Sequence, residues 1–285
     1  MTKVIVFGYT GMIGNYIYQL LKAKRIEVIG LASKEFDIRD CTYELIEEVI
    51  CTVEPDYVIN CAGIIPHNSH KYNATDNDYY KVNSIFPQLV NRICFYHNIR
   101  FIHITTDCIY DGIINSVHDK ITNSLGRYGE EDDPTEKETY GLSKSLGDNL
   151  GECCIIRTSV IGEEKHNKNS LLEWVLKQDN LKKDVNGYAN HYWNGITGYE
   201  LAKIIYNIIE KDKYWIGIKH IFSPTIVSKY ELLCLIKKVY HLNININKIN
   251  AINNIDKTLT TNYGFIIKVP DLEEQINELF SINLL

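Results

Sequence analysis

The chain has 285 residues, 45 % of them hydrophobic, enough apolar side chain for one large core or two smaller ones. Its net charge of −6 is spread over mixed signs with no basic cluster interleaved with aromatics, which argues against a nucleic-acid partner. Eight cysteines include no C-x-x-C pair, so neither a disulfide scaffold nor a metal site is expected. The apolar run at the start gives way to glycines after about five residues, too short for a signal sequence or a membrane span, and the protein reads as soluble and cytoplasmic.

Lys3 to Phe7 is a short β-branched run that predicts a strand buried on both faces, followed by a glycine turn and a helix from Met12 to Lys24. The turn, GYTGMIG, spaces Gly8, Gly11 and Gly14 as G-x-x-G-x-x-G. The first suits the turn itself, the second the approach of a pyrophosphate to a helix N-terminus, the third close packing of helix on strand. A dinucleotide cofactor is therefore expected at this turn. The second strand, Glu27 to Leu31, ends at Ala32-Ser33-Lys34. The hydroxyl of Ser33 and the ammonium of Lys34 suit a ribose 2′-phosphate, favouring NADPH, while Glu35 and Asp37 keep NADH open.

A helix over Thr42 to Thr52, a strand over Tyr57 to Asn60 and a long helix from Asp76 to His97, with Ile85, Leu89, Ile93 and Tyr96 on one face, continue the pattern. A fourth strand, Phe101 to Thr105, a polar stretch over 108–136, a helix from Glu138 to Leu150 and a fifth strand from Cys153 to Arg157 follow. Strands separated by helices imply an α/β, Rossmann-type doubly wound parallel sheet over 1–157. Helices over Ser170 to Gln178, Gly198 to Glu210, Ser228 to Tyr240 and Leu272 to Leu279, with strands over Gly217 to Phe222 and Ile244 to Ile249, predict a smaller α+β substrate lobe over 158–285, whose segments are free to interleave with the sheet. Ligands of open sheets bind beyond the carboxyl ends of the strands, which directs attention to Gly8 to Gly14, Asn60 to Gly63, Thr105 to Cys108 and Thr158 onward.

Tyr140-Gly-Leu-Ser-Lys144 places a phenol and an ammonium one helical turn apart. A neighbouring cation stabilises a phenolate and brings a tyrosine toward useful acid-base strength. Together with GYTGMIG, Asn60-Cys61-Ala62-Gly63, Lys81-Val-Asn83, Thr105-Thr-Asp107, Arg157-Thr-Ser and Trp193-Asn-Gly-Ile-Thr197, this order resembles the extended short-chain dehydrogenases/reductases, and most closely their dTDP-4-dehydrorhamnose reductase branch. The resemblance covers essentially the whole chain. It implies that Thr106, Tyr140 and Lys144 form the catalytic triad and that NAD(P)H lies across the glycine turn, with Thr10, Met12 and Ile13 among its contacts, and across residues 32–38, Cys61, Ala62, Gly63, Asn83, Thr105, Tyr140 and Lys144. The implied reaction is reduction of the C4 ketone of a nucleoside-diphosphate sugar, and a homodimer through helices 76–97 and 138–150 is the implied default.

Cys108 departs from the plain reductase pattern and resembles the thiol of GDP-fucose synthase and of the plant enzymes that both epimerise and reduce UDP-4-keto-6-deoxyglucose. A group of pKa ~8.5 beside a ketone can exchange protons at its flanking carbons near neutral pH. The expectation is a bifunctional 3,5-epimerase/4-reductase making UDP-L-rhamnose or its dTDP analogue, with Lys177 as the second acid-base by correspondence to a histidine of GDP-fucose synthase. A packed, inert Cys108 is the other reading. Asn186 to Thr197 reads as an aromatic, amide-rich loop in which Asn190, Tyr192, Trp193 and Asn194 either hold the nucleotide sugar or anchor the lobe. His67 and His70 are further sugar-contact candidates and a poor zinc site. The rivals are a monofunctional dTDP-4-dehydrorhamnose reductase and a non-enzymatic NADP-binding regulatory subunit.

Overall fold

The computed structural model describes residues 2–66, 73–114, 126–166, 168–263 and 267–282. His67 and His70 lie outside the described residues. The chain begins β1 (Lys3–Phe7), α1 (Met12–Ala23), β2 (Glu27–Leu31), α2 (Tyr43–Val53) and β3 (Tyr57–Asn60). It continues with α3 (Asp76–Tyr80), a π-helical turn (Lys81–Ile85), α4 (Phe86–Tyr96), β4 (Arg100–Thr106), α5 (Thr139–Gly147) and β5 (Cys154–Thr158). The rest comprises β6 (Val160–Ile161), α6 (Leu171–Asn180), β7 (Val185–Tyr188), β8 (His191–Trp193), β9 (Ile196–Thr197), α7 (Gly198–Glu210), β10 (Gly217–His220), β11 (Val227–Ser228), α8 (Lys229–Val239), β12 (Ile246–Ile249), β13 (Ile255–Asp256) and α9 (Leu272–Ser281).

Six of these strands make one parallel sheet in the order β10-β5-β4-β3-β1-β2. The chain leaves β1 first toward β2 and then toward β3, so strand order reverses between β1 and β3, where a crevice opens at the carboxyl ends. Alternation along each strand divides the core. Val4, Val6, Ile59, Ile102, Cys154 and Ile156 pack on one face with α1 and α7, while Ile5, Phe7, Val58, Phe101, Cys153 and Ile155 pack on the other with α2 and α4. Cys153 and Cys154 thus point to opposite faces, as their adjacency predicts. Strand β10 comes from the later half of the chain, so segments from both sides of residue 157 build the sheet.

The long helix expected over 76–97 is interrupted at its centre. Pro87 has no N–H to return to the carbonyl four residues earlier, and the chain takes a π turn over Lys81–Ile85. The freed Asn83 carbonyl is covered by Gly147 of α5, where an added Cβ would lie 1.9 Å away. The extra residue in the turn also moves the buried stripe. Val82, Phe86, Val90 and Ile93 are buried, whereas Ile85 and Tyr96, expected inward, are exposed. Asn83 Nδ2 donates to Ser143 Oγ (3.1 Å) and Ser84 Oγ to the Ser143 carbonyl (2.6 Å), which ties the π turn to α5.

Beyond β5 the structure is a set of short sheets, β11-β8-β13, β12-β7 and β6-β9, with helices capped by Ser170, Thr197, Ser228 and Asp271. The segment read as a loop over 186–197 is largely strand, because its partners lie far along the chain: β7 pairs with β12, and β8 with β11 and β13. Among the described residues no helix is long and apolar enough to cross a membrane.

Candidate active site

The glycine turn closes as its spacing predicts. Gly8 has φ +76°, and its N–H donates to the Leu31 carbonyl (2.7 Å). A Cβ on Gly14 would lie 2.2 Å from the Gly8 carbonyl, so helix α1 approaches the turn to a distance that only glycine permits. Beside it, a cavity is lined by Gly8, Thr10, Gly11, Ser33, Asp37 and Arg39, with Cys61, Ala62 and Gly63 across from them. This cradle, at the β1/β3 crossover and beside a helix N-terminus, fits the adenosine and pyrophosphate of a dinucleotide. Lys34, expected on its rim, is exposed and lies off the lining. Arg39 takes that place, held by Asp37 through a bond from Nη2 to Oδ2 (2.6 Å). The Arg39 guanidinium holds the Asp37 carboxyl below the usual carboxylate range.

A second cavity of about 460 Å³ adjoins the turn and is lined by Gly11, Met12, Ile13, Cys61 and Gly63 on one side and Thr105, Thr106, Asp107, Cys108, Tyr140 and Lys144 on the other. Thr106 ends β4, and its Oγ1 accepts the Cys108 N–H (3.1 Å) in the single 3-10 turn that follows. Just before α5, the Ile109 carbonyl accepts from the Thr135 and Glu136 amides, which brings the helix, with Tyr140 and Lys144, over that turn. Asn83, expected on the cofactor, acts one step back. Its amide exchanges bonds with the Ile64 backbone (3.0 Å each way) and bonds Ser143, so it fixes the 61–64 turn against α5.

Lys144 is 6 % exposed, and a Cβ on Gly63 would lie 2.7 Å from its Nζ. Burial pulls its ammonium below the usual lysine range, and the Asp148 carboxylate, one turn further along α5, works against that. Asp148 is in turn bonded by Arg157 (Nε 3.3 Å, Nη2 3.2 Å), whose Nη1 reaches Tyr110 Oη (3.0 Å) and His220 Nε2 (2.9 Å). Tyr140 departs from expectation. Burial raises its phenol, Cys108 adds to the rise, and Thr106 lowers it only in part. The Cys108 thiol is pushed up to about 12 by burial and then by the Asp107 carboxylate.

The C-terminal candidates mostly serve the lobe itself. Lys177 is exposed on α6 and lies off the lining of the cavity, the outward face that an amphipathic helix assigns to a lysine. Asn194 is 2 % exposed and exchanges 2.8 Å bonds with the backbone N–H and carbonyl of Leu259. Asn190 bonds the carbonyls of Ala251 (2.9 Å) and Asn253 (3.3 Å) and accepts from the Ala251 amide (2.9 Å). Trp193 is 3 % exposed in the core, with Lys229 Nζ 5.2 Å from its ring centre; Tyr192 is partly exposed and, like the other three, off the cavity lining. Arg39, Asp107 and Glu164, which line the cavities, and Asp148, which faces Lys144, were missed as site residues. Two had a visible signal: Asp148 in its i+4 spacing from Lys144, and Asp107 in its place within the Thr105–Cys108 strand end.

Residues 1–260 match the RmlD substrate binding domain family. The chain belongs to that family. Among characterised relatives it is 27 % identical over 246 residues to the spore coat polysaccharide biosynthesis protein SpsK of Bacillus subtilis, covering 81 % of this chain and 77 % of the relative. It is 25 % identical over 270 residues to a dTDP-4-dehydrorhamnose reductase of Aggregatibacter actinomycetemcomitans, covering 90 % and 86 %. The fold superposes on dTDP-4-dehydrorhamnose reductase from Bacillus anthracis in complex with NADP with a TM-score of 0.79 at 18 % identity, covering 98 % of each chain. This RmlD-family chain therefore shares the α/β parallel-sheet fold of its solved relatives.

Proposed function

We propose that this chain is a nucleotide-sugar reductase that uses NADPH, with NADH as a substitute, to reduce the C4 ketone of a dTDP- or UDP-linked 4-keto-6-deoxy sugar. The observation that carries this reading is one cavity bounded by the glycine turn on one side and by Thr106, Tyr140 and Lys144 on the other. The reductase named among the curated relatives and the NADP complex of a solved one support it. The nicotinamide, when bound, supplies the hydride. Tyr140, whose phenol burial keeps protonated at neutral pH, is the donor to the O4 that reduction creates. The Lys144 ammonium, which burial disfavours and the Asp148 carboxylate supports, stabilises the phenolate left behind. Thr106, on the same cavity wall as the phenol, is a second hydrogen-bonding group for the ketone oxygen.

A second reading, 3,5-epimerisation in the same cavity, is favoured by one observation, the presence of Cys108 on the wall shared with Tyr140. A thiol held protonated can return a proton to a carbanion; taking one requires that its pKa fall when substrate is bound. Incubation with NADPH and either dTDP- or UDP-4-keto-6-deoxyglucose, followed by NMR of the product, tests both. NADPH oxidation with a new C4 hydroxyl is expected. No oxidation with either sugar, with or without an added 3,5-epimerase to prepare the 4-keto-rhamnose form, ends the reductase reading in favour of a non-catalytic, cofactor-binding role. In deuterated water without NADPH, label entering C3 and C5 in the wild type but not in Cys108→Ser is the epimerase outcome, and unlabelled sugar in both excludes it.

A further inference from the structure

Asp37 and Arg39 stand together on the wall of the cavity beside the glycine turn, their side chains 31 % and 32 % exposed. Arg39 grips the Asp37 carboxylate at both oxygens: Nε reaches Oδ1 (3.1 Å) and Oδ2 (3.3 Å), Nη2 reaches Oδ2 (2.6 Å), and the Arg39 amide donates to Oδ1 (3.1 Å). Lys81, at the start of the π turn, fixes the backbone beneath the pair through a bond from its Nζ to the Arg39 carbonyl (3.0 Å). Ser33 lines the same cavity, whereas the Glu35 carboxylate turns back to accept the Ala32 amide (3.2 Å) and lies off the lining, as Lys34 does. The acid and the cation that face this space are therefore Asp37 and Arg39, already joined to each other.

NADH and NADPH differ at one place, a ribose 2′-hydroxyl against a 2′-phosphate. We propose that the Asp37–Arg39 pair reads this difference from its two ends: Arg39 binds the 2′-phosphate of NADPH, and Asp37 accepts a hydrogen bond from the 2′-hydroxyl of NADH. The inference deepens the cofactor part of the reading above and rests on it. A guanidinium presents its N–H groups in a planar fork that suits phosphate as well as carboxylate. The more highly charged phosphate competes with Asp37 for that fork, and an ion pair this open to water is weakly held.

An ionised carboxylate accepts hydrogen bonds and donates none, so Asp37 favours a hydroxyl and repels a phosphate. Each member of the pair thus favours one cofactor, and in the closed pair the carboxylate offsets the guanidinium. That balance leaves room for both dinucleotides, with NADPH ahead because Arg39 meets a full charge and Asp37 only a hydroxyl. Removing one charge tips the balance one way, and removing the other tips it back.

Titration calorimetry on the full chain, without sugar, tests this with NADPH, NADH, adenosine 2′,5′-bisphosphate and AMP in the wild type, Arg39→Met, Arg39→Lys, Asp37→Asn and Lys34→Met. Arg39→Met should weaken NADPH and the bisphosphate by about 10–100-fold while NADH and AMP stay within about threefold. Arg39→Lys, which keeps the charge and loses the fork, should recover part of that affinity. Asp37→Asn should weaken NADH by about three- to tenfold and tighten NADPH. Lys34→Met should leave all four ligands within about twofold. Equal losses for NADPH and NADH in Arg39→Met, or an NADPH loss confined to Lys34→Met, overturns the proposal. Unchanged NADH affinity in Asp37→Asn overturns the part given to Asp37. A wild-type chain that binds neither dinucleotide sinks the cofactor reading itself, and because no sugar is present the result is independent of whether the reductase chemistry holds.

Discussion

The sheet-end turns and the C-terminal lobe use the same residue types for opposite purposes. At the ends of β1, β3 and β4, polar groups close in sequence, such as Thr106, Asp107 and Cys108, converge on a cavity because each strand delivers its following turn to the same edge. In the lobe, amides that look equally available, Asn190 and Asn194, are spent on backbone 61–65 residues away. Short strands that do not pair with their neighbours leave buried N–H and C=O groups unmet, and those amides satisfy them. A polar residue at a parallel-strand end thus faces ligand space, while a polar residue in a patchwork of short strands is first claimed by the fold.

The sharpest way to break this contrast is to remove a group from each region and read chemistry and stability separately. Tyr140→Phe should lower kcat by about 10²–10⁴-fold while NADPH affinity and the unfolding midpoint stay near wild type, since the ring is kept and only the proton donor on the cavity wall is lost. Retained turnover would show that the cavity wall is mere scaffold.

Asn194→Ala should do the reverse. It leaves the Leu259 N–H and carbonyl buried without partners, at a cost of about 2–4 kcal/mol of unfolding free energy by denaturant titration, with KM for the sugar near wild type in the folded fraction. A raised KM with unchanged stability would return Asn194 to the substrate and erase the distinction between the regions.

The same contrast explains what could be read beforehand. The glycine turn, the strand-helix alternation and the Tyr140–Lys144 pair depend on spacings within one turn or one helix, and spacing is what a sequence displays. Arg157 meets Asp148 nine residues back and His220 sixty-three residues on, a buried cluster that no local pattern announces. The π turn followed from a single missing N–H at Pro87, whose effect a 3.6-residue periodicity averages away. Arg39 and Lys34 are five residues apart with the same charge; only the path of the chain after β2 brings Arg39 to the cavity and turns Lys34 to solvent.

The smallest effect is expected at Lys177, and it sharpens the comparison because it tests correspondence against position. Aligning α6 with a histidine-bearing helix of another enzyme gives Lys177 a proton to move; the fold places it outward, exposed, on a helix whose Leu172 and Val175 face the core. Lys177→Ala should therefore change stability by less than about 0.5 kcal/mol. It should leave kcat and KM for the keto sugar within about twofold of wild type, and leave any deuterium exchange at C3 and C5 unaltered. Loss of exchange with reduction intact would mean that α6 swings inward when sugar binds, and that the lobe adds acid-base chemistry to a site otherwise built from the strand ends.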